Sequence, residues 1–155
     1  METGDYFREK KEKAKAIYGE QKELYCPYFK AKVTLNSDGF HHLQFSARRE
    51  RDKREQLFKF SLLSLGLELI GKSGTMQEYR TLLTPIGKKS PHDGSMRMKN
   101  VEYWGLVAIL GPQKIKIRTV LRRIGNGNIT FWSVMLYSKR KNGHQKLFSD
   151  VMEDE

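Results

Sequence analysis

An α+β fold is predicted, with N-terminal helices packed on a mostly antiparallel sheet that ends in a three-stranded meander. Three observations predict it. In residues 115–137, IKIRTVLRRIGNGNITFWSVMLY, two β-branched and aromatic runs flank Gly125-Asn126-Gly127-Asn128, and a central Asn-Gly is the strongest local signal for a type I′ hairpin. Residues 103–110, YWGLVAIL, are almost continuously apolar, as a central strand would be, and Gly111-Pro112-Gln113-Lys114 turns that strand back into the hairpin. Residues 57–70 are apolar on most sides, which marks a helix covered by the rest of the fold. Helices segregated to one side of such a sheet complete the class.

In chain order, residues 2–25 repeat Ala14, Ile17, Tyr18, Gln21 and Leu24 or Tyr25 at helical spacing. They predict a surface helix with a thin apolar stripe, interrupted at Gly19 and ended by Pro27. Residues 29–36, FKAKVTLN, alternate apolar and polar side chains and predict a half-buried strand, followed by turn chemistry at Ser37-Asp38-Gly39. Residues 40–45, FHHLQF, suit a second short strand or the lead-in to a helix, of which the lead-in is preferred. Ser46 is placed as the N-cap of a long helix from Ala47 to Ile70, closed by Gly71 and Gly74. Its charged first half offers Glu50–Arg54 and Glu55–Lys59 at i,i+4 spacing. Residues 75–84 are ambiguous between extended and helical structure, and residues 85–100, with turn residues and no period, predict an exposed loop. Residues 139–143 predict a solvated turn and the final DVMEDE a frayed end. The domain division is a helical arm over 1–28, one α+β domain over 29–148 and an acidic tail over 149–155.

The hairpin register carries the functional argument. With Asn126 and Gly127 in the turn, Ile124 faces Ile129, Arg122 faces Phe131, Val120 faces Ser133 and Arg118 faces Met135. Residues directly across a ladder share a face. Ile115, Ile117, Thr119, Leu121, Trp132, Val134 and Leu136 then form the core face. Lys116, Arg118, Arg122 and Ser133 form the other, beside Phe131 and Met135. Three cations and a hydroxyl on one side of a hairpin make an anion-binding surface.

Composition points the same way. The 155 residues hold 29 Lys+Arg against 18 Asp+Glu, a formal charge of +11, with a pI near 9.8. No acid occurs from Gly105 to Ser149, while nine Lys or Arg lie between Lys114 and Lys146. A one-signed stretch over a sheet suits a polyanion, with nucleic acid the first candidate; solubility or an acidic protein partner would give the same bias. Cys26 has no second cysteine for a disulfide and no metal spacing, and His41, His42, His92 and His144 belong to no HExxH or CxxC arrangement, so neither metal nor cofactor is expected. No Walker loop, GxGxxG or GxSxG occurs. The start METGDYFREKKEK has no signal-peptide pattern and residues 57–70 are too short to span a bilayer, so a cytoplasmic protein without a membrane partner is expected.

What remains is cationic acid–base chemistry. RNA is cut without metal when a base takes the 2′-hydroxyl proton, an acid protonates the leaving 5′-oxygen and cations stabilise the phosphorane. Arg118, Arg122 and Lys116 are the candidate cations, with Arg80 as a further member. His42 is the preferred acid or base, because a residue leading into the buried helix is held firmly. A capping or surface imidazole is the alternative. Ser133 could bond a phosphate oxygen, although a lone strand serine is commonly structural. Tyr103, Trp104 and Phe131 could stack bases, while Trp104 and Trp132 are by default core residues.

Gly39-Phe40-His41-His42-Leu43 before a long helix, and Leu121-Arg122-Arg123-Ile124-Gly125-Asn126-Gly127 running on to Phe131-Trp132-Ser133, resemble small toxins of bacterial and mobile-element toxin–antitoxin systems. These belong to the broad barnase–EndoU–colicin–RelE-like ribonuclease fold, and the likeness covers roughly residues 30 to 138. The resemblance implies a metal-independent endoribonuclease that inhibits translation by cutting RNA and is neutralised by a protein antitoxin, with the ribosome as a further candidate partner. It implies His42 as general acid or base, Arg118 and Arg122 as phosphate stabilisers and Ser133 as a phosphate or leaving-group contact. Lys116, Arg80, Tyr103 and Phe131 would bind RNA. No second catalytic histidine and no acid near His42 is evident. The competing expectation is a non-enzymatic basic module that binds nucleic acid through the same sheet.

Overall fold

The computed structural model describes residues 3–46 and 49–137. Among them, three helices pack on one six-stranded, mostly antiparallel sheet, so the expected α+β class holds. The elements run α1 (Thr3–Glu20), β1 (Glu23–Cys26), β2 (Ala31–Thr34), α2 (Ser37–Gln44), α3 (Lys53–Lys72), β3 (Glu78–Ile86), β4 (Arg97–Leu110), β5 (Ile115–Ile124) and β6 (Thr130–Leu136). Across the sheet the strand order is β1-β2-β6-β5-β4-β3. The solvated turn expected at 139–143, His144 and the acidic tail lie outside the described residues.

α3 is the central helix of the core. Gln56, Lys59, Phe60, Leu63, Gly66, Leu67 and Ile70 recur at three- and four-residue spacing and are all buried, so one stripe of the helix faces the sheet. Its N-cap is Asp52, whose carboxylate accepts from the Glu55 amide at 2.8 Å, six residues later than the Ser46 start expected from sequence. Ser46 instead closes a small turn with Arg49. Glu55 pairs with Arg49 and Arg51, which precede the helix. Against the stripe lie Leu106, Ile117, Leu121, Phe131 and Val134 from the sheet, with Ala14 and Tyr18 of α1 completing the cluster. α1 therefore contributes to the core it covers.

Three local expectations change. Ser37-Asp38-Gly39 is not a turn but the first turn of α2, because the Asn36 side-chain oxygen accepts from the Gly39 amide at 3.0 Å and caps a helix instead. Of residues 75–84, ambiguous by pattern, 78–84 are extended and belong to β3. The loop expected over 85–100 shrinks to residues 87–96, since Leu83 through Ile86 pair in register with Arg97 through Asn100.

The hairpin also departs from expectation in a way that matters later. Gly125 has φ +54° whereas Asn126 does not have positive φ, and the Gly127 amide donates to the Ile124 carbonyl at 2.9 Å. The turn is thus not type I′, which needs positive φ at both central positions. Arg118↔Met135 and Val120↔Ser133 pair as expected, but Leu121 faces Phe131 and Arg122 faces Thr130, with a bulge in between. Trp132 is the extra residue. One inserted residue reverses the alternation, so Phe131 is buried in the core and Trp132 leaves it.

β6 meets β2 only at Thr34↔Thr130. Beyond that point α2 packs on β6, with Gly39 so close that a Cβ would lie 2.5 Å from the Phe131 carbonyl oxygen. The Lys59 ammonium donates to the Val134 carbonyl at 3.1 Å. The strand edge is thus covered by a helix, and a lysine bonds one of its carbonyls.

Gly39→Ala is expected to lower the unfolding free energy by about 2 kcal/mol, since a backbone carbonyl cannot yield to the added methyl. Urea unfolding followed by circular dichroism checks this. Tyr18 offers the opposite case: its hydroxyl is buried with no hydrogen-bond partner, and burial pushes its pKa up. Tyr18→Phe is expected to stabilise the fold by about 1 kcal/mol in the same assay, because it removes an unsatisfied polar group while keeping the ring.

Candidate functional site

The bulge at Trp132 creates the cluster to which the sequence candidates must be compared. The His42 ring stacks on Trp132 at 4.1 Å between centroids, 17° from parallel. The Arg122 guanidinium carbon lies 3.4 Å from the Trp132 ring centroid, a close cation–π contact. Arg122 is half-buried and its Nε has no hydrogen-bond partner. Burial pushes its pKa down, opposed by the Tyr103 hydroxyl across the β4–β5 ladder and by the carboxylate of Asp38. A cleft of about 240 Å³ opens at this point, lined by Thr34, Asn36, Asp38, Arg122, Ile124, Gly127, Asn128 and Thr130.

Each member is placed for a local reason. Gly39, His42 and Leu43 are buried on one side of α2, which packs that side against β6. Asp38 precedes His42 by four residues, so both lie on neighbouring turns of one helical face. Arg122 and Tyr103 face one another across a regular ladder without a bulge. The cleft therefore sits between the start of α2 and the β5–β6 turn, where a helix N-terminus and a guanidinium meet.

His42 is firmly held, as expected, by a residue the sequence argument passed over. Arg51 is buried, its Nε donating to the His42 carbonyl at 3.1 Å and its Nη2 lying 3.4 Å from His42 Nε2. Arginine only donates, so Nε2 is the accepting nitrogen in this contact.

The other predicted residues divide between this cluster and the interior. Arg118 is buried in a bidentate ion pair with Glu78, Nε–Oε1 2.7 Å and Nη2–Oε2 3.0 Å, with the Tyr137 ring 4.7 Å away. Ser133 is buried and accepts from Lys59 Nζ at 2.9 Å. A lysine on a serine is also a nucleophile-activating pair, but both side chains are buried and the same ammonium bonds the β6 edge. Phe131 is a core residue, 6.4 Å from the Tyr18 ring, and not a base-stacking surface. Lys116 is exposed, its ammonium 4.5 Å from the Tyr137 ring. Tyr103 and Arg80 are half-buried and face each other across β3 and β4 on the side that carries Arg122.

Asp38, Arg51, Lys59 and Trp132 are the site-region residues that sequence reasoning missed. Lys59 and His42 did leave a signal: each is a polar residue on the apolar stripe of its helix, which demands a buried partner. Asp38 and Trp132 left none, since a capping turn and a bulge decide their positions. Among the described residues no group of three or more His, Cys, Asp or Glu could hold a metal, and no helix is long and apolar enough to cross a membrane.

No protein-family model, curated protein or solved structure gives a significant match to the chain.

The two arginines of the expected catalytic pair should separate by experiment. Arg118→Met is expected to lower the unfolding free energy by about 3 kcal/mol, because Glu78 loses the partner it is half-buried against. Arg122→Ala should cost less, about 1–2 kcal/mol, since it gives up the contact with Trp132 but leaves no buried carboxylate without its partner. Parallel denaturation of the two variants measures the difference.

Proposed function

We propose that the chain is a metal-independent endoribonuclease of the toxin type, and that it takes the scissile phosphate at the Arg122 cleft. The observation carrying this reading is Arg122 itself: a half-buried guanidinium over the Trp132 ring, with an unused Nε donor beside a cleft. Partial burial strengthens its attraction for an anion relative to a cation in water. A phosphodiester is the anion that the +11 charge of the whole chain would draw. Asp38 and His42, one helical turn apart on the same side of α2, are the groups that would handle protons there. One takes the 2′-hydroxyl proton as that oxygen attacks phosphorus; the other gives a proton to the departing 5′-oxygen, leaving a 2′,3′-cyclic phosphate. Translation inhibition, an antitoxin and a cytoplasmic setting belong to this reading.

The second reading, a binding module without catalysis, is favoured by a different set of contacts. Arg118 and Ser133 are engaged inside the fold and Arg51 occupies His42 Nε2. In that case the cleft holds phosphate and no bond breaks.

Cleavage of total RNA in EDTA distinguishes them. Product ends bearing 2′,3′-cyclic phosphate are expected, with the rate reduced about 10²- to 10³-fold in Arg122→Ala and by a comparable factor in His42→Ala and Asp38→Asn. Ser133→Ala is expected to cleave normally when folded. Salt-sensitive RNA binding without cleavage, on free RNA and on translating ribosomes alike, would establish the binding module instead.

A further inference from the structure

The β3–β4 hairpin continues past the rest of the sheet. β5 leaves the ladder at Val101↔Ile124, yet β3 and β4 run on through four more pairs, Leu83↔Asn100 to Ile86↔Arg97, before residues 87–96 close the ribbon. In this two-stranded projection Arg97 to Asn100 of β4 are exposed, while Thr84 and Ile86 of β3 are half-buried. It carries Lys88, Lys89, Arg97 and Lys99 against a single acid, Asp93. Asp93 is engaged at the tip, where Oδ1 accepts from the Ser95 amide at 3.0 Å and the Ser95 hydroxyl at 2.7 Å. None of the four cations has an ion-pair partner among the described residues.

Alternation then decides which of these cations belong together. β4 pairs without a bulge on both sides, so Tyr103, Val101, Lys99 and Arg97 share one face. Arg122 lies directly across from Tyr103 on that face. One row of side chains thus leads from the Arg122 cleft outward to Lys99 and Arg97. At about 3.3 Å per residue, Arg97 stands roughly 20 Å from Tyr103 along the strand.

We propose that this row is a backbone track for a single RNA strand, which enters the Arg122 cleft and runs out along the ribbon over Lys99 and Arg97. The proposal rests on the reading of Arg122 as a phosphate site and extends it to the nucleotides on one side. A single row of cations matches the phosphates of one strand, and no second row lies on the ribbon to meet a complementary strand. The track contacts phosphates only, so it adds affinity without sequence preference. Its rigidity comes from the ladder and from the Ser90–Ser95 tip, whose Ser90 amide donates to the Ser95 carbonyl at 2.7 Å.

The test measures binding of a 12-nucleotide 2′-O-methyl RNA, which cannot be cleaved, across a range of salt concentrations. Four proteins are compared: the full chain, Arg122→Ala, the double variant Arg97→Ala/Lys99→Ala, and Lys10→Ala/Arg54→Ala as a control of equal charge on the helices. For a single strand the slope of log K against log salt is about 0.7 per phosphate contact. The ribbon variant is expected to lose about 1.4 from that slope and the helix variant nothing. Equal slopes for the ribbon and helix variants would overturn the track, whatever Arg122 does. Normal binding by Arg122→Ala with a reduced slope in the ribbon variant would keep the ribbon and remove the cleft. No binding by the full chain would overturn both.

Discussion

The unpaired half of β6 is the constraint on which the rest depends. β2 meets β6 at a single residue pair, so the following carbonyls and amides of β6 have no strand on that side. A buried edge of this kind must find partners, because each unsatisfied backbone group costs about 1–3 kcal/mol. The Lys59 ammonium bonds the Val134 carbonyl on this edge, and α2 covers it. Seating α2 requires glycine at position 39, and seating it there brings His42 against Trp132. The same lysine bonds the Ser133 hydroxyl, so a residue that resembles a phosphate ligand in the sequence serves the edge instead.

The bulge at Trp132 completes the arrangement. It turns Phe131 into the core and frees the indole to stack between two elements, joining α2 to β5 through His42 and Arg122. Packing and function meet in that one residue. Without the bulge Arg122 would face Phe131 and Trp132 would point to the core, so the indole would not reach the guanidinium. A bulge commonly re-aims a side chain beside a site, and here it re-aims the Trp132 indole onto Arg122.

Charge is divided unevenly over the same sheet. Arg118 and Arg123 are neutralised by Glu78 and Glu102, acids supplied from the neighbouring strands β3 and β4. Arg97 and Lys99 have no such partner among the described residues, and Arg122 keeps an idle donor. Cations that are paired hold the sheet together; those that remain are the ones the proposed function assigns to phosphate. The acid-free stretch from Gly105 to Ser149 hid this difference, since the compensating carboxylates precede it in sequence.

Much of the architecture was determined by sequence alone. The long apolar helix, the β4–β5–β6 meander, the helix-on-sheet class and the cationic character all follow from periodicity and composition, which are local quantities. His42 and Arg122 were legible too, one as a polar group on an apolar stripe and one as a strand cation opposite the core face. Tertiary structure decided the remainder. Whether Arg118 is a ligand or a structural ion depends on Glu78, forty residues earlier in the chain. Whether Trp132 or Phe131 is buried depends on one extra residue in a ladder, because side-chain direction has period two and a single insertion inverts it. The β3–β4 ribbon was hidden for a related reason: its strands gain order by pairing with each other across a ten-residue loop, and no window of sequence contains both partners of that bond.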